Sequence, residues 1–401
     1  VENGRTFEGK TVTLTGNIDL DGLKWEPIGK ANLQQIFKGV FDGGGYEIHN
    51  LRSEVISTGE AYSGLFGAIY QARVTRVVLA EDCEIRTSYY GGGVVAYAQE
   101  SEIVSCENRA SVSFEGPAGY VGGIAGYVAL ASSIDRCENL GIVTGTVQPS
   151  DNYASCLVYA GGIAGVNQES AIINSSNHAV VAVEALPEYD SCAGGIVGYN
   201  SGSSTFIANC YNAAGVRLSG SGFAGGILSY TDNGDVRVAN CYNVGTVSGV
   251  PGKSYPIVPI LSADSEDCYY LTNCVEGEGS YAGTALTVDY MKSTAFAARL
   301  NDWSKTNNSS ETGRQTLYWK VEDAENDGYP VFTDQDPGYT GVESVVSGVR
   351  IYPTTVSGEL FVCGAESPIY IYNLAGHIVS IIDPTEEITV VDLSLIHISE
   401  P

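Results

Sequence analysis

Positive charge is scarce in this chain: 20 lysines and arginines stand against 47 aspartates and glutamates, a formal net charge of −27. Such a surface repels nucleic acid and anionic membrane, and it is poorly suited to gripping a polyanionic polysaccharide. No apolar run approaches the roughly eighteen residues of a membrane helix, so no membrane insertion is expected. Cys-x-x-Cys and His-Glu-x-x-His are both missing and the four histidines are scattered. Those absences argue against a zinc site and against metallopeptidase chemistry. Ser, His and acidic residues form no nucleophile-elbow pattern. The paired acids Asp264, Glu266 and Asp267 fall at an end of the patterned region rather than within it. No catalytic residue, metal ligand or cofactor is assigned. Methionine occurs once, at Met291, and the chain opens on Val1 without a signal peptide, as a processed form or a fragment would.

What is present is repetition. Six times a glycine-rich strand recurs, and in most copies a small residue, an asparagine and a valine follow. Gly122-Gly123-Ile124-Ala125-Gly126-Tyr127 leads to Cys137, Asn139 and Val143, and Gly225-Gly226-Ile227-Leu228-Ser229-Tyr230 leads to Cys241, Asn243 and Val247. Residues 92–97 lead to Cys106, Asn108 and Val112, 161–166 to Ser175, Asn177 and Val181, and 194–199 to Cys210, Asn212 and Val216. Ser63-Gly64-Leu65-Phe66-Gly67 opens the series and leads to Val77. A period of about thirty residues marks a solenoid. The units are rich in β-branched and small residues and lack helical periodicity, and three short strands fit each. The expected fold is all-β: a right-handed parallel β-helix, with a small helical C-terminal cap and a partial β-sandwich domain.

Stacking coils places like residues above one another. Val77, Cys106, Cys137, Ser175, Cys210, Cys241 and Cys268 should form one interior ladder, and Asn108, Asn139, Asn177, Asn212 and Asn243 a second at a corner. Small thiols suit a narrow core. Coil spacing also allows Cys106–Cys137 and Cys210–Cys241 bridges in an oxidising compartment. Cys156 and Cys192, on loops of adjacent coils, are the better candidates for a disulfide. The return path lengthens from Val143 to Gly161, and insertions in a solenoid gather on one face where binding occurs. Residues 144–159, with Asp151, Asn152 and Tyr153, are therefore the candidate functional loop.

Residues 1–62 read as an N-terminal cap and first coils, 63–275 as the repeats, and 276–333 as a C-terminal cap with short helices, including a helical stretch at 288–302. Residues 334–348 read as a linker and 349–392 as a short alternating-strand domain.

The Gly-Gly-Ile-Ala-Gly-Tyr and Cys-x-Asn-x-Gly-x-Val units resemble GLUG-motif repeats. These occur in large surface proteins of gut Bacteroidetes and beside the catalytic part of immunoglobulin A1 metallopeptidases. Asn17-Ile18-Asp19-Leu20, Trp25-Glu26-Pro27-Ile28-Gly29 and Phe37-Lys38-Gly39-Val40-Phe41-Asp42-Gly43 match the start of such arrays, and Gly328-Tyr329-Pro330-Val331-Phe332 their ending. The resemblance spans roughly residues 1–333, and its members are mostly described as candidate adhesins. Ile351-Tyr352-Pro353, Gly358-Glu359-Leu360 and Ile371-Tyr372-Asn373-Leu374-Ala375-Gly376 resemble a C-terminal sorting domain of type IX secretion, truncated before its final strands. Residues 393–401 resemble the translation of a sequencing adapter and are set aside, which makes the chain a metagenomic fragment. The resemblance implies an extracellular or outer-membrane-surface protein of adhesin type. Host or dietary glycans or surface proteins are the expected partners, without nucleic acid, and this region is expected to be monomeric. The alternatives are a β-helix glycosidase or lyase, or a spacer within a larger surface protein.

Tyr97, Tyr127, Tyr199 and Tyr230 follow an inward glycine position, so strand alternation turns them outward. A stacked row of tyrosines either packs laterally, as aromatic ladders do in sheets, or offers a face to sugars or a partner chain. Asn17-x-Asp19-x-Asp21-Gly22 imitates half a calcium loop, but Ile28 stands where the bidentate acid belongs, and alternation with Ile18 and Leu20 inward explains it. Asp323-x-Glu325-x-Asp327-Gly328 is a similar half-match that reads as a solvated turn.

Overall fold

The computed structural model describes residues 5–31, 35–56, 60–232, 236–259, 264–276, 281–308, 315–322 and 324–338, and beyond these 342–343, 350–352, 359–363, 368–372, 378–384 and 388–392. Residues 393–401 and Asp323 lie outside them. The chain forms two compact units, residues 1–286 and 287–401.

The first unit is a parallel β-solenoid, as the repeat requires. Each full coil carries five strands rather than the expected three: Arg73–Thr75, Val78–Leu79, Glu84–Thr87, Tyr90–Gly92 and Val95–Gln99 make one coil. The next runs Glu102–Val104, Glu107–Asn108, Ser111–Gly116, Ala118–Gly122 and Ala125–Ala129. Among the described residues, equivalent strands stack into five parallel sheets of nine, ten, eight, seven and six strands, here called the first to fifth in chain order. The second sheet gains Thr284–Leu286 beside Tyr269–Leu271. The ladder thus continues past Cys274, where the sequence motif ends.

The extra strands arise at corners that the motif hides. Between first and second sheets each coil turns on one left-handed residue: Arg76, Ser105, Arg136, Asn174, Asn209, Asn240 and Asp267, with φ from 48° to 56°. Asn and Asp accept this backbone at least cost. In the later coils the asparagines hold it, with Asn240 Nδ2 donating to Asn209 Oδ1 at 2.7 Å and Asn209 Nδ2 to Asn174 Oδ1 at 2.8 Å.

The predicted ladders form. In the second sheet Glu107, Glu138, Ser176, Tyr211, Tyr242 and Tyr269 are in register, so the residue before each shares a column. That column is Cys106, Cys137, Ser175, Cys210, Cys241 and Cys268, all buried. The amide of Cys106 donates to Cys137 Sγ at 3.4 Å and that of Cys137 to Ser175 Oγ at 3.2 Å. The nine described cysteines are free thiols, so neither the ladder pairs nor Cys156–Cys192 is bridged. Cys192 stands opposite Tyr159, which displaces Cys156 along its own coil, and Cys156 Sγ turns to Ser150 O at 3.6 Å.

Val112, Val143, Val181, Val216 and Val247 are stacked in register in the third sheet, and none is more than 1% exposed. Each such burial contributes about 1.5–3 kcal/mol. The Asn column bonds end to end: Asn108, Asn139, Asn177 and Asn212 each donate from Nδ2 to Oδ1 of the next, at 2.8–2.9 Å. The second proton of each amide goes to the carbonyl two residues on, which satisfies a group otherwise costly to bury.

In the second unit α1 (Val288–Met291) is capped by Thr287. It precedes α2 (Thr294–Asn308), whose Phe296, Leu300 and Trp303 are buried. Asn301 makes paired bonds to the Trp319 backbone, 2.9 Å to its carbonyl and 2.7 Å from its amide. Trp319 lies on Tyr318–Lys320, antiparallel to Val331–Thr333. Among the described residues, the strands expected after residue 349 fall in a four-stranded antiparallel sheet and a separate antiparallel pair. The four-stranded sheet includes Val342–Glu343, read from sequence as linker, because Val342 pairs with Ile351. Among the described residues no helix is long and apolar enough to cross a membrane.

Candidate functional site: a tyrosine belt

The fourth and fifth sheets each carry an aromatic column. In the fifth, Tyr97 and Tyr127 are register partners, as are Tyr199 and Tyr230, with Val166 between the pairs. Alternation operates as expected: Ala96 and Ala98 are buried while Tyr97 is partly exposed. The column in the fourth sheet was not anticipated. Tyr62, Tyr90, Tyr120 and Tyr159 are in register there, followed by Cys192 and Phe223. The signal was available, since Tyr90 and Tyr120 stand one fixed step upstream of Tyr97 and Tyr127.

Glycine brings the columns together. A Cβ on Gly126 would lie 2.9 Å from Gly91 O, so the backbones of the two sheets nearly touch. Aromatic rings therefore meet across the junction as well as along it. Tyr62 stacks on Tyr90 at 4.8 Å, Tyr120 meets Tyr127 at 5.4 Å, and Tyr97 stacks on Tyr127 at 5.7 Å. Tyr159 bridges the position of Val166 by stacking on Tyr199 at 4.3 Å, and Tyr199 stacks on Tyr230 at 5.9 Å. The result is one partly exposed belt along the solenoid from Tyr62 to Tyr230. Favourable aromatic pairs add about 0.5–1.5 kcal/mol each beyond area burial, so the belt also stabilises the stack.

Burial holds the phenols neutral. It pushes Tyr127 up to about 12 and raises Tyr62, Tyr90, Tyr120, Tyr159 and Tyr199 further. Their hydroxyls remain donors at any physiological pH. Tyr127 donates to Gln168 Oε1 at 3.0 Å and Tyr62 to Glu60 Oε2 at 2.6 Å, so acceptors border the rings.

The candidate loop is shorter than expected. Its start pairs as Val143–Val147 and its end as Leu157–Gly161, leaving 148–156 between strands. Asp151 and Asn152 are exposed, whereas Tyr153 packs partly against the core.

The other sequence candidates are occupied structurally. Asn17 Oδ1 accepts from Glu47 N at 3.1 Å, and Asp19 Oδ1 accepts from Asp21 N and Asn50 Nδ2. Asp327 pairs with Lys292 at 2.8 Å, Glu266 with Arg237 at 2.6 Å, and Asp267 accepts from Tyr269 at 3.0 Å.

These features define the class: a parallel β-solenoid with an aromatic belt along one junction. No protein-family model matches the chain, and no curated protein matches it. Among solved structures, a Bacteroides ovatus protein named as a candidate immunoglobulin A1 protease has a TM-score of 0.47 at 20% identity, covering 82% of this chain and 86% of that one. A structure named IgA1 protease has a TM-score of 0.39 at 15% identity, over 71% of this chain and 20% of that one. At these identities the likeness does not extend to function.

Proposed function

We propose that this chain is a non-catalytic surface or secreted solenoid of adhesin type, related to the GLUG-repeat proteins it resembles, and that it holds an extended glycan along its tyrosine belt. The observation that carries this reading is the continuity of the belt from Tyr62 to Tyr230. Tyrosine offers a rigid, amphipathic contact face at low entropic cost, and solenoids present such faces in extended arrays. Neutral hydroxyls and bordering acceptors such as Glu60 and Gln168 suit hydroxyl-rich partners.

A glycan array probed with the whole chain tests the proposal. Binding to neutral glycans or mucin should weaken by about tenfold or more in a Tyr120→Ala/Tyr159→Ala variant that keeps its β-sheet circular dichroism. Undiminished binding by that variant rules out the belt. Release of new reducing ends from a bound polysaccharide would instead favour a polysaccharide-degrading enzyme.

A further inference from the structure

A separate groove lies at the start of the first sheet. Its volume is about 500 Å³, within the range of small-ligand sites. Lys10, Lys38 and Arg73 line it together with Gln71, Glu100 and Glu102. Three of the chain's 20 basic side chains therefore gather in one place on a molecule with a net charge of −27.

Two of the three cations make no ion pair among the described residues. Arg73 is paired with Glu102. Among the described residues Lys10 and Lys38 pair with no carboxylate. The Lys38 ammonium instead sits 5.1 Å from the centre of the Tyr70 ring. The floor is glycine by necessity, since a Cβ on Gly39 would fall 2.6 Å from Phe7 O and 2.8 Å from Lys10 O. In the following coils Gln71 Nε2 donates to Glu100 Oε2 at 2.8 Å. Thr11, Val40, Arg73 and Glu102 are in register, so Lys10 and Lys38 belong to the first two coils along the groove, and Gln71, Glu100 and Glu102 offer amide and carboxylate acceptors from the next two.

We propose that this groove is a second binding site, distinct from the belt, for a single saccharide unit that carries a carboxylate. Lys10 and Lys38 receive the carboxylate by charge-assisted hydrogen bonds. Gln71, Glu100 and Glu102 accept from ring hydroxyls, a pairing that a simple anion would not use. Lysines at one end of the groove and acceptors at the other favour a ligand with one anionic end and one hydroxyl-rich end, and they disfavour a polyanion.

Calorimetric titration of the whole chain with glucuronic acid, N-acetylneuraminic acid, glucose and an acidic dipeptide tests this. Both acidic sugars should bind, with glucose and the dipeptide at least about tenfold weaker. Lys10→Ala/Lys38→Ala should weaken acidic-sugar binding by about tenfold or more, and the effect should shrink as salt rises. Lys253→Ala, a surface control, should leave binding unchanged. Absence of acidic-sugar binding, equal binding of glucose or dipeptide, or an unaffected double lysine variant would each overturn the site. Loss of acidic-sugar binding in Tyr120→Ala/Tyr159→Ala would overturn it too, by moving the ligand to the belt.

Discussion

Gly162 packs against the side chain of Asn177 so closely that a Cβ on the glycine would lie 2.4 Å from the asparagine Cγ. The contact repeats in each neighbouring coil, between Gly123 and Asn139 at 2.2 Å, Gly195 and Asn212 at 2.5 Å, and Gly226 and Asn243 at 2.5 Å. It explains why the double glycine and the asparagine travel together through the sequence. The Asn column needs interior width, and only a residue without a side chain leaves it. Gly162→Ala should cost about 1–3 kcal/mol by overpacking, since backbone lies as near as 2.1 Å, at Gly195 O. Urea unfolding should show the midpoint fall. An alanine at Gly252, whose surroundings are open, meets no steric clash there and leaves only its φ of +77° as strain.

The Asn column itself should show position dependence. Asn177 lies mid-column, accepting from Asn139 and donating to Asn212, both at 2.8 Å. Asn177→Ala strands a buried donor on one side and a buried acceptor on the other, at about 1–3 kcal/mol apiece. Asn108 donates to Asn139 at 2.9 Å, and in the coil before it the register partner is Leu79, which has no amide to extend the column. Asn108→Ala should therefore destabilise less than Asn177→Ala. Equal losses in urea titrations would show that the column is not the source of the stability.

Legibility followed the vertical repeat. Cys106 with Cys137, and Asn108 with Asn139, could be read as stacked neighbours because each coil contributes one residue of one kind. The corners could not. Arg76, Ser105 and Arg136 adopt left-handed backbone without the glycine that ordinarily marks it, so two strands read as one. The same fusion hid the bend between Tyr90–Gly92 and Val95–Gln99, and with it the second tyrosine column. The excursion expected at 144–159 narrows to 148–156, because the pairing of Thr144 with Ser113 depends on the coil below and has no local signature.

His49 provides a titration that reports on the early coils. Its Nδ1 lies 3.1 Å from Asp82 Oδ2 and its Nε2 3.2 Å from Glu47 Oε2. The hydrogen bond to Asp82 raises the imidazole above its ordinary value of 6.5. A raised value means that the stabilising contribution is fully present below 6.5 and fades as pH climbs through the native midpoint. NMR titration should place the His49 midpoint above 6.5, and Asp82→Asn should lower it. A midpoint unmoved by that substitution would assign the shift elsewhere.

Alkaline conditions should weaken the solenoid for a reason built into its interior. Burial raises Cys83 and Cys274 to about 11 and Cys192 to about 12, against an ordinary value of 9.0, and drives Cys137, Cys241 and Cys268 well above it. Between about pH 9 and 12 the unfolded chain therefore loses protons that the native chain retains. Unfolded then binds fewer protons than native, so stability falls with rising pH across that window. The same protonation, together with burial, should shield these thiols from a thiol reagent at pH 8, and urea should release them. Rapid labelling of Cys137 or Cys241 in the native protein would contradict the buried column, whereas urea midpoints that decline steadily above pH 9 would support it. Cys241→Ser would separate the two effects, because a buried hydroxyl keeps the hydrogen bond to Ala239 O but has no proton to lose in this range.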